Sequence, residues 1–414
     1  MSQYPLADIW FPKEGGITFP KGFKASGIKA GLKSSGKPDL ALLLAPEGAV
    51  CSGSFTQSAI RAACVDLCLD RLQSQNGLVR AVLINSGQAN ACTGERGLLD
   101  SLKATKTLSR LLQLKTEEVL ICSTGVIGQP IPIISLLSKL EDLVCELNEE
   151  GGLRAAQAIL TTDLREKEFA FQAELGGKIV RIGGMAKGSG MIHPNMATML
   201  GYLTCDAYVP QPIWSSMIER VVNSSFNLIT VDGDTSTNDS LIAFASGQEI
   251  ECQYWDALEI GLTNLAQQLA KAIARDGEGA NCLIEVQVDG SDSINDARTI
   301  ARTICSSALV KTAVHGKDPN WGRIVAAAGN SGVPIFMENI SLWIGPYQLI
   351  RAGVPLDVDQ FEISHYMNEK MNGIYLETDT ILIKLNVGKG SESGVAWGCD
   401  LSDQYVRINA DYTT

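Results

Sequence analysis

The stretch 183-GGMAKGSGMIHPNMATMLGYLTCDA-207 sets a glycine run around a lysine and then a small-residue pair, Ala197-Thr198, ahead of an apolar segment. Glycines at 183, 184, 188 and 190 permit positive φ and close backbone approach. Lys187 lies inside the glycine run, where a flexible loop would present its amine to a small anionic group. A phosphate-binding loop is excluded, because GxxxxGK followed by Ser or Thr is absent. On its glycines alone, the run reads as a tight turn feeding an apolar segment.

Thr198 adds chemistry to that turn. A hydroxyl is a weak nucleophile until a base activates it. The chain has three histidines, His193, His315 and His365, and no GxSxG elbow to put one beside a serine. The other solution is a threonine whose own α-amine is the base, which requires the preceding peptide bond to be broken. Ala197 suits such a cut, because its small side chain leaves room for Thr198 Oγ to reach the Ala197 carbonyl. An ester would form and hydrolyse, leaving Thr198 as a new N-terminus. An Ala-Thr pair by itself is commonplace.

Outward from this run, helical and strand patterns interleave without a linker or an internal repeat. Ile134 to Leu147 sets Leu136, Leu137, Leu140, Leu143, Val144 and Leu147 on one stripe of a helix. Leu258, Leu262, Leu265, Leu269 and Ile273 form a second stripe, with Gly277 near the expected stop. Cys282, Ile284, Val286 and Val288 then alternate with Leu283, Glu285 and Gln287 as a strand, and Ile381, Ile383, Leu385 and Val387 make another. Val79–Ile84 and Val119–Cys122 read as buried strands ending in NSG and STG turns. The pattern implies a mixed α/β (α+β) fold of layered sheets covered by helices, not a regular βαβ series.

Composition narrows the function classes. Hydrophobic residues at 45% and charged residues at 19% describe a globular chain, not a disordered one. With a net charge of −12 and no Lys/Arg cluster, neither nucleic acid nor an anionic membrane is an expected partner. The N-terminus shows neither a secretory nor a mitochondrial targeting pattern, and no apolar run has bilayer-spanning length. Eleven scattered cysteines without a CxxC pair argue against a disulfide framework and a structural zinc site. Buried thiols in a reducing cytoplasm, with no metal, are the expectation.

KGSGMIHPNMATML, read as words, resembles the self-processing motif of the glutamate N-acetyltransferase/ornithine acetyltransferase family, the bifunctional ArgJ proteins of arginine biosynthesis. The resemblance runs the length of the chain: GGITFPKGFKASGIKAGLK (15–33), NSGQANACTG (85–94), CSTGVIG (122–128), TTD (161–163), SFNLITVDGDTSTNDS (225–240), DGEGA (276–280), HGKDPNWGRI (315–324) and YVRINADYTT (405–414). After DGEGA the family often continues Thr-Lys, where this chain has Asn281-Cys282.

The resemblance implies an ArgJ/DmpA-like layered fold, self-cleaved into an α chain (1–197) and a β chain (198–414). Thr198 would be the nucleophile, and Thr124 and Gly125 the oxyanion hole. Substrate contacts would be Thr161, Lys187, Thr198, Glu278, Asn409 and Thr414, the last through its terminal carboxylate. The activity implied is acetyl transfer from N2-acetyl-L-ornithine to L-glutamate without a cofactor. Bifunctional members also accept acetyl-CoA, and no residue in the sequence separates them from monofunctional ones. A heterotetramer of two α and two β fragments is implied as well.

Two rival readings stand beside it. LITVDGDTST resembles the nucleophile loop of haloacid-dehalogenase-type phosphatases, with Asp232 and Asp234 holding magnesium. The same residues read equally as a polar turn satisfying local backbone groups, with a share in supporting the processing site. A non-enzymatic amino-acid sensor would use a clamp of Lys187 and Glu278 but gives Thr198 no purpose.

Overall fold

The structure, a computed structural model, describes residues 9–193 and 199–410. Ala197, Thr198 and Thr414 lie outside the described residues. Among the described residues, three sheets make the frame. The first runs β1 (Phe11–Lys13), β7 (Lys167–Leu175), β8 (Lys178–Lys187), β9 (Leu200–Tyr208), β10 (Ser240–Glu249), β4 (Val50–Phe55). The second runs β2 (Lys24–Ile28), β3 (Leu40–Leu44), β5 (Ala81–Gln88), β6 (Val119–Val126). The third runs β14 (Val354–Pro355), β13 (Tyr347–Arg351), β12 (Ser341–Ile344), β15 (Thr380–Asn386), β11 (Leu283–Ser291), β16 (Glu392–Cys399).

One core joins the second sheet to one face of the first, with α1 (Ala63–Ser74), α2 (Gly94–Leu112), α3 (Ile133–Ser138), α4 (Leu140–Cys145) and α5 (Gly152–Ala158) against it. The opposite face of the first sheet packs on α6 (Gln211–Asn223) and α7 (Trp255–Arg275). The third sheet holds a separate core with α8 (Ile294–Ser306), α9 (Ala308–His315), α10 (Trp321–Gly329) and α11 (Gln360–Met371). A last helix, α12 (Asp403–Ala410), lies near the end of the chain.

The layered mixed α/β expectation holds, and its physical basis is visible in β10. Leu241, Ala243 and Ala245 join the helical core while Ile242 and Phe244 enter the core shared with the second sheet. Both faces of the strand are buried, so it reads as an unbroken apolar run. The stripe on α7 is buried throughout, with Leu258, Leu262, Leu265, Leu269 and Ile273 at 0% exposure. β11 divides its sides as expected: Ile284, Val286 and Val288, together with Cys282 just before the strand, belong to the third core and Leu283 to the second.

The single helix expected over 134–147 is instead two short ones, α3 and α4. Its apolar stripe survives the break, with Leu136, Leu140 and Leu143 fully buried. At the junction Lys139 N–H donates to the Leu136 carbonyl (3.1 Å), a tighter turn than an α-helix makes.

Candidate active site

Thr124 and Gly125 lie within a strand. The NSG and STG triplets expected as turns continue the parallel ladder, pairing Asn85 with Ser123, Ser86 with Thr124 and Gly87 with Gly125. Glycine is what permits this. Gly87 and Gly125 take φ of +118° and +130°, and a Cβ on Gly125 would sit 2.3 Å from the Gly87 carbonyl carbon. The strand end is braced from the side. Ser123 Oγ donates to Asn85 Oδ1 (2.6 Å), and the Asn238 amide donates to the carbonyls of Ser123 (2.9 Å) and Ala89.

Lys187 is the last residue of β8 and pairs with Leu200, the first of β9. The flexible loop expected around it is therefore a buried strand end, because the run from Ile182 to Lys187 is held in the antiparallel ladder. Burial pulls its ammonium below the usual lysine range, against the opposing charge of Asp163.

Residues 188–199 connect the two strands, and both described ends of this connection are pinned to the 230–240 loop. Asp232 accepts from the N–H groups of Met191 (2.6 Å) and Ile192 (2.8 Å), where Met191 takes a left-handed φ of +56°. Val231 N–H donates to the Ile192 carbonyl (2.7 Å), Thr235 Oγ1 to that of His193 (2.8 Å), and Ser240 N–H to that of Met199 (3.0 Å). Asp232 also accepts from Asp234 N–H (3.2 Å) and the Tyr405 hydroxyl (3.3 Å). The polar-turn reading of DGDTSTNDS fits this engagement, and the phosphatase reading does not. His193 is held likewise: Arg302 donates to its Nε2 (3.2 Å) and its Nδ1 meets Thr230 (3.0 Å). Burial, with Arg302 adding to it, keeps this imidazole below its usual range.

These elements converge on a cavity of about 290 Å³ lined by Thr124, Gly125, Thr161, Lys187, Glu278 and Asn409. They are all the described members of the sequence-derived set. Glu278 arrives on the loop after α7, where its N–H donates to the Ser189 carbonyl (2.9 Å). Its carboxylate accepts from Asn409 Nδ2 (2.7 Å) on α12. Gly190 makes room for it, since a Cβ there would lie 2.6 Å from the Glu278 carboxyl. Asn281-Cys282 is absorbed by Asp400, which accepts both backbone N–H groups (2.7 and 3.1 Å).

Sequence reasoning missed Asp163, Asn238 and Asp239, which are buried at or beside the cavity. All three sit inside quoted motifs, TTD and STNDS, but nothing local shows that their side chains turn inward. A wider groove of about 870 Å³ between α6, α7 and β16 holds none of the converging residues.

A model of the ArgJ family matches residues 24–414. The chain belongs to the ArgJ family. It is 66% identical over 409 residues to the arginine biosynthesis bifunctional protein ArgJ of Prochlorococcus marinus strain MIT 9313, covering 99% of this chain and 96% of that one. The protein of the same name from Synechocystis sp. strain PCC 6803 is 52% identical, with 99% and 100% covered. Among solved structures, Bacillus halodurans ArgJ is 38% identical over 52% of this chain and 100% of its own, with a TM-score of 0.48. The resemblance read from the motifs thus holds. Among the described residues, no helix of this ArgJ-family chain is long and apolar enough to cross a membrane.

Proposed function

We propose that this chain is a self-processing acetyltransferase of arginine biosynthesis, transferring acetyl from N2-acetyl-L-ornithine to L-glutamate and also accepting acetyl-CoA as donor. The observation that carries the reading is the meeting, in one cavity, of the Thr124-Gly125 strand end with Lys187 and Glu278. The shared name of the relatives, bifunctional ArgJ, supports both donors over the single-donor alternative.

In this reading the chain is cut after Ala197, and Thr198 Oγ attacks the acetyl carbonyl while its own amine takes the proton. The hydroxyl of Thr124 and the N–H of Gly125 stabilise the oxyanion. The C–N bond breaks, ornithine leaves with the proton, and acetyl remains as an ester on Thr198. The glutamate amine then attacks that ester, giving N-acetylglutamate and free Thr198. The acetyl group passes from one amine to the other through the Thr198 ester, so no cofactor is needed. Lys187 meets the substrate carboxylate, and Glu278 a substrate ammonium, with Thr161, Asn409 and Thr414 completing the contacts. The working unit is a heterotetramer of two 1–197 and two 198–414 fragments in the cytoplasm.

Glutamate acetylation assayed with each donor separately tests the activity. Product from both donors is expected. Product from N2-acetyl-L-ornithine alone would make the enzyme monofunctional, and product from neither would overturn the reading.

A further inference from the structure

We propose that Asp163 is a positioning residue for substrate recognition: its buried carboxylate pairs with the Lys187 side chain and fixes both segments beside it at the cavity. The inference rests on the reading of Lys187 as the contact for a substrate carboxylate.

Asp163 lies on the strap between α5 and β7 and is 0% exposed through its side chain. Its Oδ1 accepts from Gly188 N–H (2.6 Å) and Lys167 Nζ (2.7 Å). Its Oδ2 accepts from Thr161 N–H (3.0 Å) and lies 3.9 Å from Lys187 Nζ. One carboxylate thereby joins three parts of the site: the strap bearing Thr161, the turn leaving β8, and the ammonium itself. Of the carboxylates in the described residues, Asp163 is the one within ion-pair distance of Lys187.

The surrounding charges explain why this partner is needed. Lys187 is buried beside the cations Lys167 and Lys33, and faces the anions Asp163, Glu278 and Asp239. Burial and the neighbouring cations favour loss of its proton, and Asp163 is foremost among the groups that oppose this. Lys167 has a second carboxylate, Asp276, at 2.6 Å, which leaves Asp163 able to serve Lys187 as well. Burial works against the charge on Asp163, yet Lys167 and Lys187 hold its carboxyl well below the usual range. Lys33 is pushed down to about 8 by burial and donates to the carbonyl of Leu160 (2.6 Å), so it steadies the same strap from the other side.

A neutral Lys187 no longer pairs with a carboxylate, so the consequence is specific. In processed Asp163→Asn enzyme, the KM for glutamate should rise about tenfold or more while kcat changes less. The basic limb of kcat/KM should move to lower pH, so that acidifying the assay recovers part of the loss. A loss that is the same at every pH would reduce Asp163 to packing and overturn the proposal. The charge-balanced double variant Lys167→Met/Asp276→Asn keeps Asp163 and removes the competing cation. Its basic limb should move to higher pH, and an unmoved limb overturns the proposal even where Asp163→Asn does not fold. Lys187→Met separates the layers. If it leaves the glutamate KM unchanged, the reading of Lys187 itself fails, whatever Asp163 does.

Discussion

Thr124 illustrates how one side chain is distinguished from its neighbours by what braces it. The strand end that carries it is tied by Ser123, Asn85 and Asn238, which in the proposed mechanism would hold its hydroxyl in place before substrate arrives. Preorganised donors of this kind are worth about a hundred- to a thousandfold in rate. Thr124→Ala should therefore slow both self-cleavage and turnover by that order, with the KM for N2-acetyl-L-ornithine little changed in the processed fraction. Unchanged turnover with a raised KM would make it a binding contact instead. The charged pair behaves differently. If Lys187 and Glu278 make the proposed substrate contacts, Lys187→Met and Glu278→Gln each remove a charge-assisted hydrogen bond worth roughly 1.5–3 kcal/mol, so kcat/KM should fall about tenfold or more. Steady-state kinetics on cleaved protein checks this, and near-wild-type values in both would place the clamp elsewhere.

At the scale of elements, the legible parts were those with local periodicity. The α7 stripe and the β11 alternation are written in the chain because burial follows the period of the element. The ends of β5 and β6 were not, because a glycine at positive φ signals a turn locally, and only the facing glycine of a distant strand makes it a ladder. Gly125→Ala tests that explanation. Its Cβ would meet the Gly87 carbonyl, at a φ strained for any L side chain, so a marked fall in Tm and loss of processing are expected. A stable, normally cleaved Gly125→Ala protein would contradict it. Asp232 was legible as a magnesium ligand or as part of a polar turn with a share in supporting the processing site. In the fold it accepts from two consecutive N–H groups, those of Met191 and Ile192, which lead toward the proposed processing site. Asp232→Asn weakens that grip by replacing charged with neutral acceptance, and cleavage should slow about tenfold. The fraction cut over time, read on denaturing gels, measures it; an unchanged rate removes Asp232 from processing.

For the whole molecule, the site is a tertiary construction that no single segment announces. Thr124, Thr161 and Lys187 come from before residue 197, and Glu278 and Asn409 from well after it. The resemblance brought these positions together; periodicity alone did not, since Asn409 reaches the end of the Lys187 strand only through Glu278, whose carboxylate accepts from Asn409 and whose N–H donates to the Ser189 carbonyl. The buried charges around Asp163 escaped notice for the same reason. The first sheet also crosses the proposed cut, with β8 on one side of it and β9 and β10 on the other. Ladder hydrogen bonds and shared cores would hold such fragments together after cleavage.

The central claim, that Thr198 is freed to act by scission of the Ala197–Thr198 bond, is tested most directly by intact mass measurement with N-terminal sequencing of purified active enzyme. Two species are predicted, one ending at Ala197 and one beginning at Thr198, and Thr198→Ala should give a single uncut and inactive chain. A fully active wild-type protein that remains one 414-residue chain would contradict the account.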